Sequence, residues 1–212
     1  MSRSAKSCIA SAGQSGEPVR LGGRKAATPA LSLPIGTPRL VLRDFTTRDL
    51  DEVHAYASLE EVTRHLIWGP NTLTQSRETV RGFLDDQKLK PRVNFDLAIV
   101  LRDGKKPRLI GGVGLKFADW ERRTGDLGYA LHPDYWGQGY AAEAAQALME
   151  AGFRELGLQR IYATCDQRNK ASARVMERLG MRREGALRQS RFIQGEWRDE
   201  YLYAILADEF FA

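Results

Sequence analysis

The residues best suited to chemistry are ten in a row, Tyr135-Trp136-Gly137-Gln138-Gly139-Tyr140-Ala141-Ala142-Glu143-Ala144, where a glycine-punctuated turn meets an alanine-rich helix. The first N–H groups of a helix lack partners within it, and the macrodipole adds partial positive charge at that end. Phosphate is a common ligand there. Gly137 and Gly139 allow the backbone to come close to a ligand, and Ala141 and Ala142 keep the helix surface low beside it. A glycine pair ahead of a helix serves equally as a plain tight turn, so the ligand must be argued from context. Asn169 and Ser172 form a second pair: an amide able to cap a helix start and a hydroxyl in the first turn. Asp126 brings a carboxylate to the strand leading into the glycine loop. Cys165 brings a thiol but, with no His near it in sequence, reads as a small buried strand residue.

Several elements must position these groups. Gly125 to Leu131 reads as a strand, His132-Pro133-Asp134 as the turn ending it, Tyr140 to Leu156 as a helix and Arg160 to Cys165 as a second strand. This order puts the glycine loop at the carboxyl end of a strand, where ligands gather in strand-helix-strand units. No third glycine follows at the dinucleotide-binding offset. Ahead of this unit, Arg39 to Phe45 reads as a strand and Asp49 to Leu59 as a helix capped by Thr46 or Thr47. A Trp68-Gly69-Pro70 turn separates that helix from another over Thr74 to Lys88. Strands at Phe95–Leu101 and Leu109–Phe117 flank a turn at 103–107 and make an antiparallel meander with the strand ending at Leu131. Ser172 to Leu179 reads as a helix closed by Gly180, and Leu187–Gln194 with Trp197–Leu206 as a hairpin around Gly195. The expected fold class is α+β: a mostly antiparallel sheet of about seven strands with helices on both faces.

Composition narrows the classes. The 212 residues, 42% hydrophobic, suit one domain and an extension. Residues 1–36 are rich in Ser, Ala, Gly and Pro, lack aromatics, and read as a disordered basic N-terminal extension. They carry Arg3, Lys6, Arg20, Arg24 and Lys25 against Glu17, which accounts for most of the net charge of +5. The charge therefore does not point to a DNA-binding face. No apolar run is long enough for a membrane span or a signal peptide, so the expected location is cytoplasmic. With two cysteines and no Cys/His cluster, neither a disulfide framework nor a metal site is expected.

Tyr129 to Glu143, together with Asn169-Lys170-Ala171-Ser172-Ala173-Arg174-Val175-Met176-Glu177-Arg178-Leu179-Gly180-Met181, resembles the GNAT superfamily of acetyl-CoA-dependent N-acetyltransferases, in its RimJ/RimL-like branch. The similarity covers about residues 37–212, the expected domain, from Thr37-Pro38-Arg39-Leu40-Val41-Leu42-Arg43 onward. In the family loop, Gln or Arg is followed by two residues, Gly, one residue, then Gly or Ala. Gly139 and Ala141 match its last positions, and Trp136 replaces the first residue, as is common in this branch.

The resemblance implies a GNAT fold and acetyl-CoA as cosubstrate, with no metal. It assigns the pyrophosphate to backbone N–H groups of Trp136, Gly137, Gln138, Gly139, Tyr140, Ala141 and Ala142. Pantetheine would lie along Leu131, whose N–H would face the developing oxyanion. Asn169 would line the cofactor site, and Ser172 would hydrogen-bond the leaving thiolate. Asp126 stands where several members carry a catalytic glutamate, and Trp68 lies in the wall of the acceptor site. RimL-like enzymes carry a proposed base where this chain has Arg191, so that role does not transfer. Arg191, with Arg188 and Arg198, would instead contact an acidic part of the acceptor. The expected acceptor is a protein N-terminal α-amine, since such an amine titrates near 8 and a lysine near 10.4. Alternatives are a small amine (polyamine, amino sugar, amino acid or antibiotic) and a non-catalytic acetyl-CoA-binding module. A monomer or homodimer is expected.

Overall fold

The structure, a computed structural model, describes residues 30–103, 107–119 and 121–212. Residues 1–29 of the expected extension, and the tip of the turn between 103 and 107, lie outside the described residues. Eight strands occur among the described residues: β1 (Ile35–Gly36), β2 (Leu40–Asp44), β3 (Asn94–Leu101), β4 (Arg108–Asp119), β5 (Thr124–Leu131), β6 (Arg160–Asp166), β7 (Arg182–Ile193) and β8 (Glu196–Leu206). They form one sheet in the order β1-β2-β3-β4-β5-β6-β8-β7. The helices are α1 (Leu50–Ala57), α2 (Glu60–Thr63), α3 (Leu73–Asp86), α4 (Tyr140–Arg154), α5 (Lys170–Arg178) and α6 (Ala207–Phe210). The α+β class follows as expected, with one strand more than the pattern suggested.

Strand β3, Asn-Phe-Asp-Leu-Ala-Ile-Val-Leu, shows why the sheet is covered twice. Phe95, Leu97, Ile99 and Leu101 point into one core, shared with Ala144, Leu148, Met149 and Phe153 of α4. Ala98 and Val100, offset by one residue, point into the other, shared with Val53 and Tyr56 of α1 and Val80 and Phe83 of α3. A strand buried on both faces loses the polar alternation of an exposed one. Each fully buried Leu or Ile contributes roughly 1.5–3 kcal/mol.

Local signals set the helix starts. Thr72 caps α3 in a reciprocal box with Gln75. Asp49 accepts from Thr46 N at 2.7 Å, so the helix expected from Asp49 begins as a 3-10 turn that passes into α1. Ahead of the expected domain start at 37, Leu31, Leu33 and Ile35 pack against the α4-side core, and Ser32 N donates to Glu155 at 2.6 Å. Their period-two spacing was visible, but a two-residue strand gives no signal of its own.

Among the described residues only β5 and β6 run parallel, and they pair at three positions: Thr124–Arg160, Gly125–Ile161 and Asp126–Tyr162. Beyond them the strands part. β6 stays paired with β8 on its other side, from Arg160–Leu206 to Asp166–Glu200. The functional cleft opens in this splay.

Candidate active site

The splay holds a cleft of about 790 Å³, bounded by the loop before α4, the first turns of α5 and the segment from Glu61 to Trp68. Its β5 wall follows from register. His132 N donates to Ile110 O at 2.9 Å, and Leu131 lies opposite Gly111. Alternation along an antiparallel ladder then turns the peptide groups of Tyr129 and Leu131 away from β4 and into the splay. The Leu131 carbonyl accepts the indole N–H of Trp136 at 2.9 Å, which ties the loop to the strand end. The Leu131 N–H is thereby directed at the cleft.

The loop makes its turns at Gly137 and Gly139, with φ of 73° and 82°, a region where a side chain is strained. A Cβ on Gly137 would meet nothing within 4 Å, so glycine there is required by backbone conformation, not by crowding. Gly139 occupies the N-cap of α4 and contributes no capping side chain, so the first N–H groups of the helix remain available to a ligand. Glu143, in the first turn, accepts from Thr37 Oγ1 (2.6 Å), Arg39 N (2.9 Å) and Arg39 Nε (2.6 Å). Burial raises the Glu143 pKa, but the bonds from Thr37 and Arg39 outweigh it and leave the carboxyl below the usual range. Arg39 also donates to Gln138 O and lies over the Tyr140 ring. Arg39 and Arg178 bring guanidinium nitrogens to 3.5 and 3.6 Å of where a Gly139 Cβ would sit. Arg174 and Arg178, one helical turn apart, both line the cleft. Free helix N–H groups beside arginines suit a pyrophosphate. Gln138 turns its amide back to Asp134 O and stands outside the lining.

At the other side, Asn169 caps α5, its Oδ1 accepting Ser172 N at 3.1 Å. The Ser172 hydroxyl lies 3.0 Å from the Tyr129 hydroxyl, a partner that sequence reasoning missed. Burial pushes the Tyr129 pKa well above the ordinary tyrosine value, so the hydroxyl stays protonated. Cys165 faces the α4-side core, and burial pushes its thiol up to about 12, which removes it as a nucleophile at neutral pH.

On the face of β6 opposite Cys165, Thr164 and Asp166 line the cleft. Burial pushes the Asp166 carboxyl up, but hydrogen bonds from the Arg168 side chain and backbone dominate and hold it below the usual range. Arg198 and His65 each lie 3.6 Å from the same carboxylate. Glu200, opposite Asp166 across the ladder, accepts from Ser190 Oγ (2.6 Å), Thr164 Oγ1 (3.2 Å) and Arg191 Nε (3.1 Å). Trp68 lines the cleft while packing on the α1-side core, so one ring does both jobs.

Asp126, expected as a catalytic carboxylate, is placed away from the cleft lining. It is 1% exposed, stands opposite Tyr162 at the closed end of the splay, and does not line the cleft. Parallel pairing extends one residue past Gly125, and this buries the carboxylate beside the Tyr162 hydroxyl, whose pKa rises through burial and the Asp126 charge. Sequence reasoning also missed His65, Thr164, Glu200, Arg174 and Arg178. Of these, only the Arg174–Arg178 spacing could have been read from the chain.

The chain matches the acetyltransferase (GNAT) domain family over residues 39–182. It belongs to the GNAT acetyltransferases. GNAT enzymes draw on acetyl-CoA, and the protein is accordingly an acetyl-CoA-dependent N-acetyltransferase. An uncharacterized N-acetyltransferase, YnaD, of Bacillus subtilis (strain 168) is 38% identical over 175 residues, 82% of this chain and 98% of its own. The crystal structure of a GNAT-family acetyltransferase from Bacillus anthracis is 36% identical, with a TM-score of 0.73 over 83% of this chain and 99% of that one. The spermidine N(1)-acetyltransferase of Escherichia coli (strain K12) is 29% identical over 81% of this chain and 88% of its own. Among the described residues of this GNAT domain, no group of three or more His, Cys, Asp or Glu is placed to hold a metal, and no helix is long and apolar enough to cross a membrane.

Proposed function

We propose that this GNAT domain acetylates the N-terminal α-amine of a peptide or protein, as in the RimJ/RimL-like branch. The observation that carries the reading is the state of the acceptor-side carboxylates. Asp166 is held by Arg168 and Arg198, and Glu200 by Arg191, so neither presents a net negative surface to a polycation. An extended acceptor also has space: a second hollow of about 310 Å³ shares Asp166 and Arg168 with the cleft and runs beside Trp197 on the hairpin. Phe192 and Trp197, 61% and 59% exposed, stack edge to face at its rim.

In this reading the α4 turn and Arg174 with Arg178 hold the pyrophosphate, and pantetheine follows the open edge of β5. The amine nitrogen attacks the thioester carbonyl, and the oxygen charge is met by Leu131 N–H. The C–S bond breaks with its electron pair on sulfur, where Ser172 donates a hydrogen bond. Tyr129 orients that hydroxyl. Thiolate departs readily, because an ordinary thiol titrates near 8.5.

The resemblance to a spermidine acetyltransferase favours a second reading, a small polyamine acceptor. Thiol release from acetyl-CoA, measured with peptides bearing free or blocked α-amines, spermidine, amino sugars and amino acids, separates the two. Turnover restricted to free-α-amine peptides is expected. Faster turnover of spermidine refutes the peptide reading, and tight acetyl-CoA binding without turnover on any amine marks a non-catalytic module.

A further inference from the structure

Asp126 lies outside the cleft lining, and Arg191 stands where the resemblance implied a carboxylate, so a base for the acceptor amine is sought among the other groups of the cleft. The charged groups facing that side come from every neighbouring element: Glu61 and Arg64 from α2 and its C-terminal end, Asp166 and Arg168 from β6 and its turn, Arg191 from β7, and Arg198 and Glu200 from β8. Both buried carboxylates among them are already engaged by arginines. His65, just past the end of α2, also lines the cleft.

The position of the ring is informative. Its Nδ1 is sealed from solvent without a hydrogen-bond partner, 3.6 Å from Asp166 Oδ2, while 23% of the side chain remains exposed. Nε2 is not sealed in this way, and the residue itself lines the cleft. Although Arg168 and Arg198 offset its charge, Asp166 Oδ2 is the acceptor nearest Nδ1, and a proton placed on Nδ1 toward it leaves the Nε2 lone pair free to accept another. A buried carboxylate behind an imidazole orients it and stabilises the imidazolium formed.

We propose that His65 is the general base of the acetyl transfer, with Asp166 as its positioning residue. The proposal deepens the N-acetyltransferase reading and rests on it, without depending on which amine is the acceptor. As the amine nitrogen forms its bond to the acetyl carbon, its surplus proton passes to His65 Nε2. The electron pair of the broken C–S bond leaves on the CoA sulfur, and the imidazolium then returns its proton to solvent. The net products are the acetylated amine, CoA thiolate and one proton.

The test measures kcat against pH for wild type, His65→Gln and Glu61→Gln, using whichever amine the wild type turns over best, at saturating acetyl-CoA. His65→Gln is expected to lose about 100-fold or more in kcat, within the range of general acid-base contributions, and to lose the acidic limb of the profile. Its dissociation constant for acetyl-CoA should stay within about twofold of wild type on the same transition-state argument. Glu61→Gln should keep both limbs. In His65→Gly, added imidazole should restore turnover saturably, an effect that a purely structural histidine does not give. Near-wild-type kcat in His65→Gln overturns the proposal. Loss of kcat without imidazole rescue, or transfer of the pH limb to Glu61, also overturns it. Failure of the peptide reading shows separately, as wild-type preference for another amine, on which the same His65 comparison is run.

Discussion

Replacing Gly139 by Ala tests whether the loop is a built anion cradle or only a turn. Its φ of 82° lies in the left-handed region, where an L side chain costs roughly 1–2 kcal/mol. The added methyl would meet Arg39 and Arg178 at 3.5 and 3.6 Å, ordinary contact distances, so conformational strain is the whole of the native-state cost. At roughly 2–4 °C per kcal/mol for a chain of this size, Gly139→Ala should lower Tm by about 2–8 °C. If the strain is relieved by turning the N-cap and scattering the first α4 N–H groups, the same energy weakens acetyl-CoA binding by about 5- to 30-fold. Calorimetric titration with acetyl-CoA and a thermal scan read both. Gly137→Ala, at φ 73° with open space around it, serves as the strain control and should match the Tm loss. Gly139→Glu, which places a carboxylate against the phosphate, should abolish binding. Wild-type Tm and affinity in Gly139→Ala would refute the cradle.

Ser172→Ala should lower kcat with acetyl-CoA affinity unchanged, since the hydroxyl meets the sulfur only as it leaves; wild-type kcat across the pH range would end that role. Glu143→Gln should destabilise by about 1–2 kcal/mol at neutral pH through weakened charged hydrogen bonds. The Glu143 pKa is depressed in the folded state, so its contribution is complete above the unfolded carboxylate pKa and is lost as pH falls through the folded one. Urea midpoints of wild type and variant should therefore converge in acid; a gap that persists at pH 2 contradicts the assignment. Asp126→Asn should alter stability and leave the pH-rate profile in place, because the carboxylate lies outside the cleft; a shifted acidic limb would return it to the chemistry.

What the sequence disclosed was what local chemistry encodes. The strand-loop-helix at 125–144, the Asn169 cap over Ser172 and the Gly180 helix stop each depend on neighbours within a few residues, and each stands where expected. The burial of Asp126 could not be read locally, because it depends on where β5 and β6 part, and that follows from packing between distant segments. His65 was invisible for the same reason: its partner Asp166 is about a hundred residues away, brought near by the sheet. Glu200 reaches Arg191 through a hairpin bulge between Leu187 and Arg191, where strand periodicity fails.

The three-pair limit on β5 and β6 leaves this sheet with two raw backbone edges in its interior. Proteins hide such edges because they recruit stray strands. In the proposed binding mode the cosubstrate covers them, an amide-bearing chain completing the ladder from within, so its binding and folding would be thermodynamically linked. The free energy of unfolding should climb with the logarithm of CoA or acetyl-CoA concentration, by about 2.7 kcal/mol at a hundredfold excess over Kd. Without CoA the unpaired edges of β5 and β6 lie open in the middle of the sheet, and a Tm that rises with added CoA is the measurable sign of that linkage.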